Sequence, residues 1–328
     1  MTKTVKSLMR RTAAGLMIGA VAFATTGASA QAEGAMAGKK VIFVPIAMGI
    51  SLTEGWARRM KEHATANGYT LDIRDPAFNT GVMSELLAKA ISEKPDVLVV
   101  HNPTVQLLAR QIRQAEAQGI KVLQINLQSS QPSTAFVGAN WERIGHEIAE
   151  DIVKECGTGS GKSGKVAIIP GQLTAADSVM MNEAAMKVFA EHPEIEVVSN
   201  QASDWEPEKA RQITTTVLQQ SPDLCAIFGH WDVHTMGAGN AVKDAGKTDD
   251  VLVYATGGGD DVTCKAVEDG VLDRVWSYDA DGQGQDAGEI VDRLLQGATG
   301  DGSPLQVESK LKIIKAGASY DPSLCWKR

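Results

Sequence analysis

The sequence of 328 residues contains only four cysteines, no excess of basic charge and few long apolar runs. Each of these shortages argues against a class of protein. Its four cysteines lie far apart with no C-x-x-C pair, which argues against a zinc site or a thioredoxin-like redox motif. A net charge of −8 argues against a basic face that binds nucleic acid or an anionic membrane. Beyond the first thirty residues, no apolar run approaches the roughly 20 residues that a membrane-spanning helix needs.

Signatures of catalysis and of cofactor binding are also missing. There is no G-x-S-x-G motif and no Ser or Cys that the sequence pairs with a His. Residues 157–163 (GTGSGKS) resemble a phosphate-binding loop, but Cys156 stands where the Walker pattern requires glycine, and the segment precedes a strand. His230 and His234, with Asp232 between them, could suggest zinc. Such a site needs a third or fourth ligand and one helix that carries both histidines, whereas His230 is predicted to precede the helix. We therefore predict that the protein is not an enzyme and carries neither a metal nor another cofactor.

The amino terminus has the pattern of a secretory signal. A positive segment is followed by an apolar run of small residues at 12–26 and by an A-x-A pattern that ends at Ala30. We expect cleavage after Ala30 and release into the periplasm, since no cysteine is present there for a lipid anchor. The mature chain is expected to be a monomer.

Short apolar runs alternate with amphipathic helices of about 12 residues through the rest of the chain. Val41–Ala47 precedes a helix at Thr53–Asn67, and a strand at 96–100 precedes a helix at Val105–Gln118. The same alternation restarts near residue 138 and ends with a strand at Leu311–Lys315. Because parallel strands covered on both faces form continuous apolar runs, we predict an α/β fold of two doubly wound parallel-sheet domains.

Export places the four cysteines in an oxidising compartment, where three disulfide pairings are possible. Cys156 lies at a predicted helix end and Cys225 at a predicted strand start, and both belong to the sheet edge opposite the ligand. This favours a bond between them, and Cys325 in the tail then pairs with Cys264. Free buried thiols remain the alternative.

The candidate site is organised around residues 224–232 (LCAIFGHWD), where an apolar strand runs into a polar and aromatic cluster. Parallel α/β sheets bind ligands at this edge. Aromatic rings and polar groups recur at the other predicted strand tips or helix starts of the same edge, a combination that suits the C–H faces and hydroxyls of a sugar or polyol. These residues are Trp56, Trp141, Trp205, Trp231, Tyr278, His101, Asn102, Asn126, His230 and Asp232. Core packing is the alternative for any single ring. The GGGD segment at 257–260 is either a nest for a hydroxyl or anionic group, or a tight turn capped by Asp260.

The succession of segments resembles that of the periplasmic sugar-binding proteins of the ribose-binding type, which serve ABC importers. These proteins have the type I periplasmic binding protein fold. The resemblance rests on GYTLDIRD, DVLVVHNPT, AQGIKVLQIN, FVGANWERIGHEIAEDI, SDWEPEKARQ, PDLCAIFGHWD and VLVYATGGGD. It implies two lobes joined by three hinge crossovers, with one ligand closed between them. The lobes would comprise residues 39–139 with about 279–305, and residues 140–278 with about 306–328, after a signal peptide at 1–30.

The ligand-contact residues of that family are only partly retained. Asn126-Leu127 stands where the family has Asp-Arg, and the arginine expected near Val179 is absent. Trp231 replaces an amide residue, whereas the acid at Asp232 is kept. The hinge segment corresponds to 139–141, which adds Asn140 to the candidate site.

From the resemblance we expect a solute-binding component of an ABC importer that captures a small neutral sugar or sugar alcohol and delivers it to an inner-membrane permease. Two alternatives remain open. One is a sensor or chemotaxis adaptor of the same fold. The other is binding of a small non-sugar such as a quaternary amine, which an aromatic cage with acids attracts through cation–π interaction.

Overall fold

The computed structural model describes residues 34, 36–299 and 303–327. The predicted signal peptide and its cleavage site lie outside these residues. Two six-stranded sheets, each with helices on both faces, form two lobes, which confirms the predicted fold class. Among the described residues, no helix is both long enough and apolar enough to cross a membrane.

The N-terminal lobe contains an all-parallel sheet in the order β11-β5-β4-β3-β1-β2. Its strands are β1 (Lys40–Val44), β2 (Thr70–Ile73), β3 (Val97–Val100), β4 (Lys121–Ile125), β5 (Ala135–Gly138) and β11 (Leu305–Glu308). Its helices are α1 (Ser51–Asn67), α2 (Thr80–Ser92), α3 (Ala109–Ala117) and α9 (Ala280–Leu295). Val41 and Phe43 pack in the cluster of α1 and α9, whereas Ile42 and Val44 pack in that of α2 and α3. Coverage of both faces explains why β1 is apolar throughout.

The C-terminal lobe repeats this arrangement in the order β12-β10-β9-β8-β6-β7. Its strands are β6 (Lys165–Ile169), β7 (Glu196–Asn200), β8 (Ala226–Gly229), β9 (Leu252–Gly257), β10 (Arg274–Ser277) and β12 (Lys312–Lys315). Its helices are α4 (Trp141–Cys156), α5 (Ala176–Glu191), α6 (Pro207–Gln220), α7 (Asp232–Asp244) and α8 (Asp261–Glu268). Strand β12 is antiparallel to β10, which is the one exception to the parallel pairing of the described strands.

The chain crosses between the lobes three times, after β5, after β10 and after β11. The last crossing lies at 309–311, because β11 pairs with β5 and therefore belongs to the N-terminal lobe. The sequence analysis predicted no strand at 305–308, and the expected boundary near 305 falls at the start of this strand. Its side chains alternate between half-buried and exposed, so it forms no apolar run. Helix α3 begins at Ala109, four residues later than expected, because residues 101–108 form a loop.

Both predicted disulfides are confirmed, and no cysteine is free. Cys156 ends α4 and Cys225 immediately precedes β8, with their Cα atoms 6.0 Å apart. Cys264 in α8 pairs with Cys325 in the C-terminal tail, with a Cα separation of 6.2 Å. The first bond lies in the core of the C-terminal lobe, and the second fixes the tail to the surface of that lobe.

Candidate ligand-binding site

The carboxyl ends of the two sheets face each other, as two contacts between the segments that follow their strands show. The N–H of Val105, in the loop after β3, donates a hydrogen bond of 3.2 Å to the carbonyl of Thr174, in the loop after β6. Gly258, after β9, lies against Leu52 in α1, because a Cβ built on this glycine would be 3.7 Å from Cδ1 of Leu52. The lobes are therefore closed on each other, and side chains at the strand tips are enclosed between them.

The wall from the N-terminal lobe combines an indole, an imidazole and an amide. The rings of Trp56 and His101 meet edge to face with centroids 4.8 Å apart, and both residues are buried. Within the described residues, both ring nitrogens of His101 and Nε1 of Trp56 have no hydrogen-bond partner. Burial lowers the pKa of His101 to about 3, so its imidazole is neutral and offers one donor and one acceptor.

Asn102 continues this wall and is held in one orientation. Its Nδ2 donates to Oε1 of Gln124 at 2.8 Å and to the carbonyl of Leu127 at 2.9 Å. Its Oδ1 is buried and has no partner among the described residues. An unpaired buried acceptor is costly in a protein interior, and such atoms commonly mark a place where a ligand completes the hydrogen bonding.

The wall from the C-terminal lobe carries an aromatic cluster. Trp205, in the loop after β7, lies with its ring centroid 6.1 Å from Trp231 and 5.7 Å from His234. Both tryptophans are only partly buried, unlike Trp56 and Trp141. A side chain on Gly171 would overlap the ring of Trp205, so this position needs glycine.

His230 follows β8 directly and is enclosed beside this cluster. Its ring lies 4.7 Å from that of Phe228, and neither of its nitrogens has a hydrogen-bond partner in the described part of the chain. Burial, together with the nearby His234, lowers the pKa of His230 to about 3. The neutral imidazole is thus a second side chain of this edge with an unused donor and acceptor.

Three carboxyls occupy the starts of helices in the same wall. Asp232 accepts a hydrogen bond of 2.6 Å from Oγ1 of Thr263 and one of 2.9 Å from the N–H of Val233. Asp260 accepts from the N–H of Thr263 at 2.8 Å and caps α8, as one of its two predicted roles requires. Asp177, in the first turn of α5, was not anticipated, and its Oδ1 is buried without a partner among the described residues.

These acids surround Tyr278, whose pKa is raised by burial and by the negative charges of Asp232, Asp177 and Asp260. Burial also raises the pKa values of Asp177 and Asp232 to about 7. Neither of these two carboxyls has a lysine or arginine beside it in the described structure. No group of three or more His, Cys, Asp or Glu within the described ranges has the geometry of a metal site.

The remaining predicted residues lie at the crossovers. Asn126 has a left-handed backbone (φ 64°), and its Oδ1 accepts from Nε2 of Gln283, which also donates to Oγ of Ser309. The indole N–H of Trp141 donates to the carbonyl of Asn126 at 3.1 Å, and its ring packs edge to face on Tyr278 at 5.1 Å. These contacts join all three crossovers.

Asn140 lies apart from the enclosed residues. It is exposed, and its Oδ1 caps α4 by accepting from the N–H of Arg143 at 3.0 Å. Gln283 was missed by the sequence analysis, because it lies one turn inside α9 and not at the tip of a strand. Asp177 could have been identified from the sequence, since it lies at the start of a helix that follows a strand, as Asp232 does.

Comparisons with known proteins agree with this geometry. Residues 41–299 match a family model described as a periplasmic binding protein domain. The D-allose-binding periplasmic protein of Escherichia coli K12 is 36% identical over 124 residues, which are 38% of this chain and 39% of that protein. The ribose import binding protein of Bacillus subtilis 168 is 24% identical over 248 residues, which are 76% of this chain and 77% of that protein.

Solved structures share the fold over a longer stretch. A carbohydrate transporter solute binding protein from Agrobacterium radiobacter, in complex with D-arabinose, matches with a TM-score of 0.77. The match covers 90% of this chain and 98% of that one at 16% sequence identity. At this identity the likeness concerns the arrangement of the two lobes and says nothing about the ligand.

Proposed function

The chain belongs to the periplasmic binding protein domain family, and from that premise we propose that it captures a sugar or sugar alcohol between its lobes for an ABC importer. The observation that carries this proposal is a set of buried polar atoms, contributed by both lobes, that lack partners among the described residues. They belong to His101 and Asn102 on one side and to His230 and Asp177 on the other. Two of the relatives are named for binding D-allose and for ribose import, which supports this ligand class.

The chemistry of these groups fits a polyhydroxy ligand. A hydroxyl both donates and accepts, so it can satisfy a neutral imidazole, an amide oxygen and a carboxylate in turn. The partly exposed rings of Trp205 and Trp231 offer apolar faces to C–H groups of the ligand. A neutral ligand needs no arginine to balance its charge, and the carboxylates can accept hydrogen bonds from its hydroxyls.

Closure supplies the mechanism. A ligand that contacts both walls binds the closed form more tightly than the open one and so shifts the population toward closure. The closed form would then present outer surfaces of both lobes to a permease in the inner membrane. The family and the predicted signal sequence support a periplasmic location.

A thermal-shift screen tests the ligand class. The mature protein, residues 31–328, is heated with pentoses, hexoses and sugar alcohols, and any compound that raises the melting temperature is then titrated by calorimetry. Trp231→Ala should abolish binding and leave the fold intact, whereas Leu173→Ala, which removes an exposed side chain, should change the fold little and serves as a mutational control. The absence of any shift with these compounds would reject the proposal.

One observation favours a second candidate, a small cationic amine. Asp177 and Asp232 are buried without a basic partner beside aromatic rings, and an ammonium group would supply the missing charge and a cation–π contact. Choline, betaine and primary amines therefore belong in the same screen. A shift with these compounds but with no polyol would select this candidate over the first.

A further inference from the structure

The C-terminal tail carries a tryptophan that contacts both lobes. After β12 the tail runs to Cys325, which is bonded to Cys264 of α8. The next residue, Trp326, donates its backbone N–H to the carbonyl of Gly259 at 3.1 Å and its indole N–H to the carbonyl of Gly258 at 2.9 Å. The disulfide at the preceding residue and these two hydrogen bonds thus fix Trp326 to the C-terminal lobe.

The ring of Trp326 lies against α1 of the N-terminal lobe. A Cβ built on Gly55 would be 3.2 Å from Cη2 and 3.3 Å from Cζ2 of this ring, so the backbone of α1 packs directly on the indole. The guanidinium of Arg58 lies 6.0 Å from the ring centroid, within reach of a cation–π interaction. Trp326 is only 9% exposed, and both contacts together bury it.

Trp326 is attached more firmly to the C-terminal lobe than to the N-terminal lobe. This difference determines which contact breaks when the lobes separate. Opening of the lobes has to separate the ring from α1, because the disulfide and the hydrogen bonds keep Trp326 on the C-terminal lobe. The contact also joins two predicted parts of the ligand site, since Gly55 precedes Trp56 and the loop at 258–259 precedes Asp260. The ring face on α1 covers on the order of 100 Å², and burial of such an area shifts an equilibrium by roughly ten- to a hundredfold.

We propose that Trp326 is a disulfide-tethered latch that stabilises the closed arrangement of the two lobes. The proposal rests on the closure mechanism given above, but it requires no knowledge of the ligand. The latch acts on closure itself, so it slows the release of any compound held between the lobes.

The decisive experiment uses the protein without ligand, so that its outcome is independent of the ligand class. Hydrogen exchange at the start of α1 and small-angle X-ray scattering are measured for the wild type, Trp326→Ala and Gly55→Leu. We expect roughly tenfold faster exchange in α1 and a larger radius of gyration for both variants. Gly55→Leu displaces the ring by a change in α1 of the opposite lobe and leaves the sequence of the tail unaltered. It therefore tests the latch even if Trp326→Ala misfolds.

Tyr320→Ala is the matched control, because this aromatic ring lies in the same tail and packs on the core of the C-terminal lobe. It should leave exchange in α1 and the radius of gyration unchanged. The double variant Cys264→Ser/Cys325→Ser should show a smaller effect in the same direction as Trp326→Ala. Unchanged exchange and scattering in Trp326→Ala and Gly55→Leu, or an equal effect of Tyr320→Ala, would overturn the proposal.

Discussion

Asp232→Asn should separate the stability of the fold from its binding function. Asp232 is 3% exposed, and burial raises the pKa of its carboxyl from 3.8 to about 7. A carboxyl whose pKa is higher in the folded than in the unfolded state favours the fold at low pH, and this contribution is lost as the pH rises from about 4 to about 7. At pH 8 the protein therefore holds an ionised group in a site that disfavours it.

The pKa difference corresponds to a cost of about 4 kcal/mol at pH 8 and about 1–2 kcal/mol at pH 5. Asparagine removes this cost but replaces one acceptor oxygen by an N–H₂ group. Thr263 can rotate its hydroxyl to accept from that group, so the 2.6 Å hydrogen bond to a carboxylate is replaced by a weaker neutral one, at a cost of about 1–2 kcal/mol. The net gain is about 2–3 kcal/mol at pH 8 and close to zero at pH 5. With ~0.6 kcal/mol per degree for a chain of this length, the melting temperature should rise by about 4 °C at pH 8.

Differential scanning calorimetry at both pH values measures the first effect, and titration with the ligand from the screen measures the second. We expect Asp232→Asn to bind that ligand at least tenfold more weakly, because a carboxylate acceptor is lost. Asp261→Asn, at an exposed acid two residues before Thr263, controls for the change in net charge. An equal change of melting temperature at pH 5 and pH 8, or unaltered affinity, would refute the reasoning.

Two further variants test other parts of the structure. Replacing Cys156 and Cys225 by alanine opens a disulfide between residues separated by 69 positions, so urea denaturation should give a free energy of unfolding lower by about 4 kcal/mol, and a smaller loss would show that the unfolded chain keeps structure. Gly171→Ala places a methyl group inside the ring of Trp205, so calorimetric titration should show binding weakened by roughly tenfold or more. The far-ultraviolet circular dichroism of that variant should stay unchanged, and wild-type affinity would mean that Trp205 does not contact the ligand.

Much of the fold was predictable because most inner parallel strands are covered on both faces and therefore appear as predominantly apolar runs. Strand β11 did not follow this rule. It lies at the edge of its sheet, where every second side chain is exposed to solvent, so the strand forms no apolar run. The disulfide between Cys156 and Cys225 was predictable from the predicted ends of a helix and a strand. The pairing of Cys264 with Cys325 followed as the remainder, and the tail that carries Cys325 has no periodic pattern.

The candidate site was only partly predictable, because spacing in sequence places a residue at a strand tip without fixing its hydrogen bonds. Trp141 illustrates the limit. It lies at the expected helix start, but its indole N–H is used by the carbonyl of Asn126. Asn140 is at the expected hinge, but its side chain caps α4. Trp326, which joins the two lobes, lies 68 residues from its partner Gly258, and no local pattern indicates such a contact.

The two walls of the candidate site differ in charge, and if the ligand binds there, this difference bears on the order of binding. The N-terminal lobe contributes His101 and Asn102, which are neutral, whereas the C-terminal lobe contributes the carboxyls of Asp177 and Asp232. A carboxylate accepts stronger hydrogen bonds than a neutral group does. We therefore expect a ligand to engage the C-terminal lobe first in the open form, and closure then adds the weaker contacts of the N-terminal lobe. Because those added contacts are neutral, the closed form gains little from charge, and packing contacts such as that of Trp326 on α1 become important for holding it.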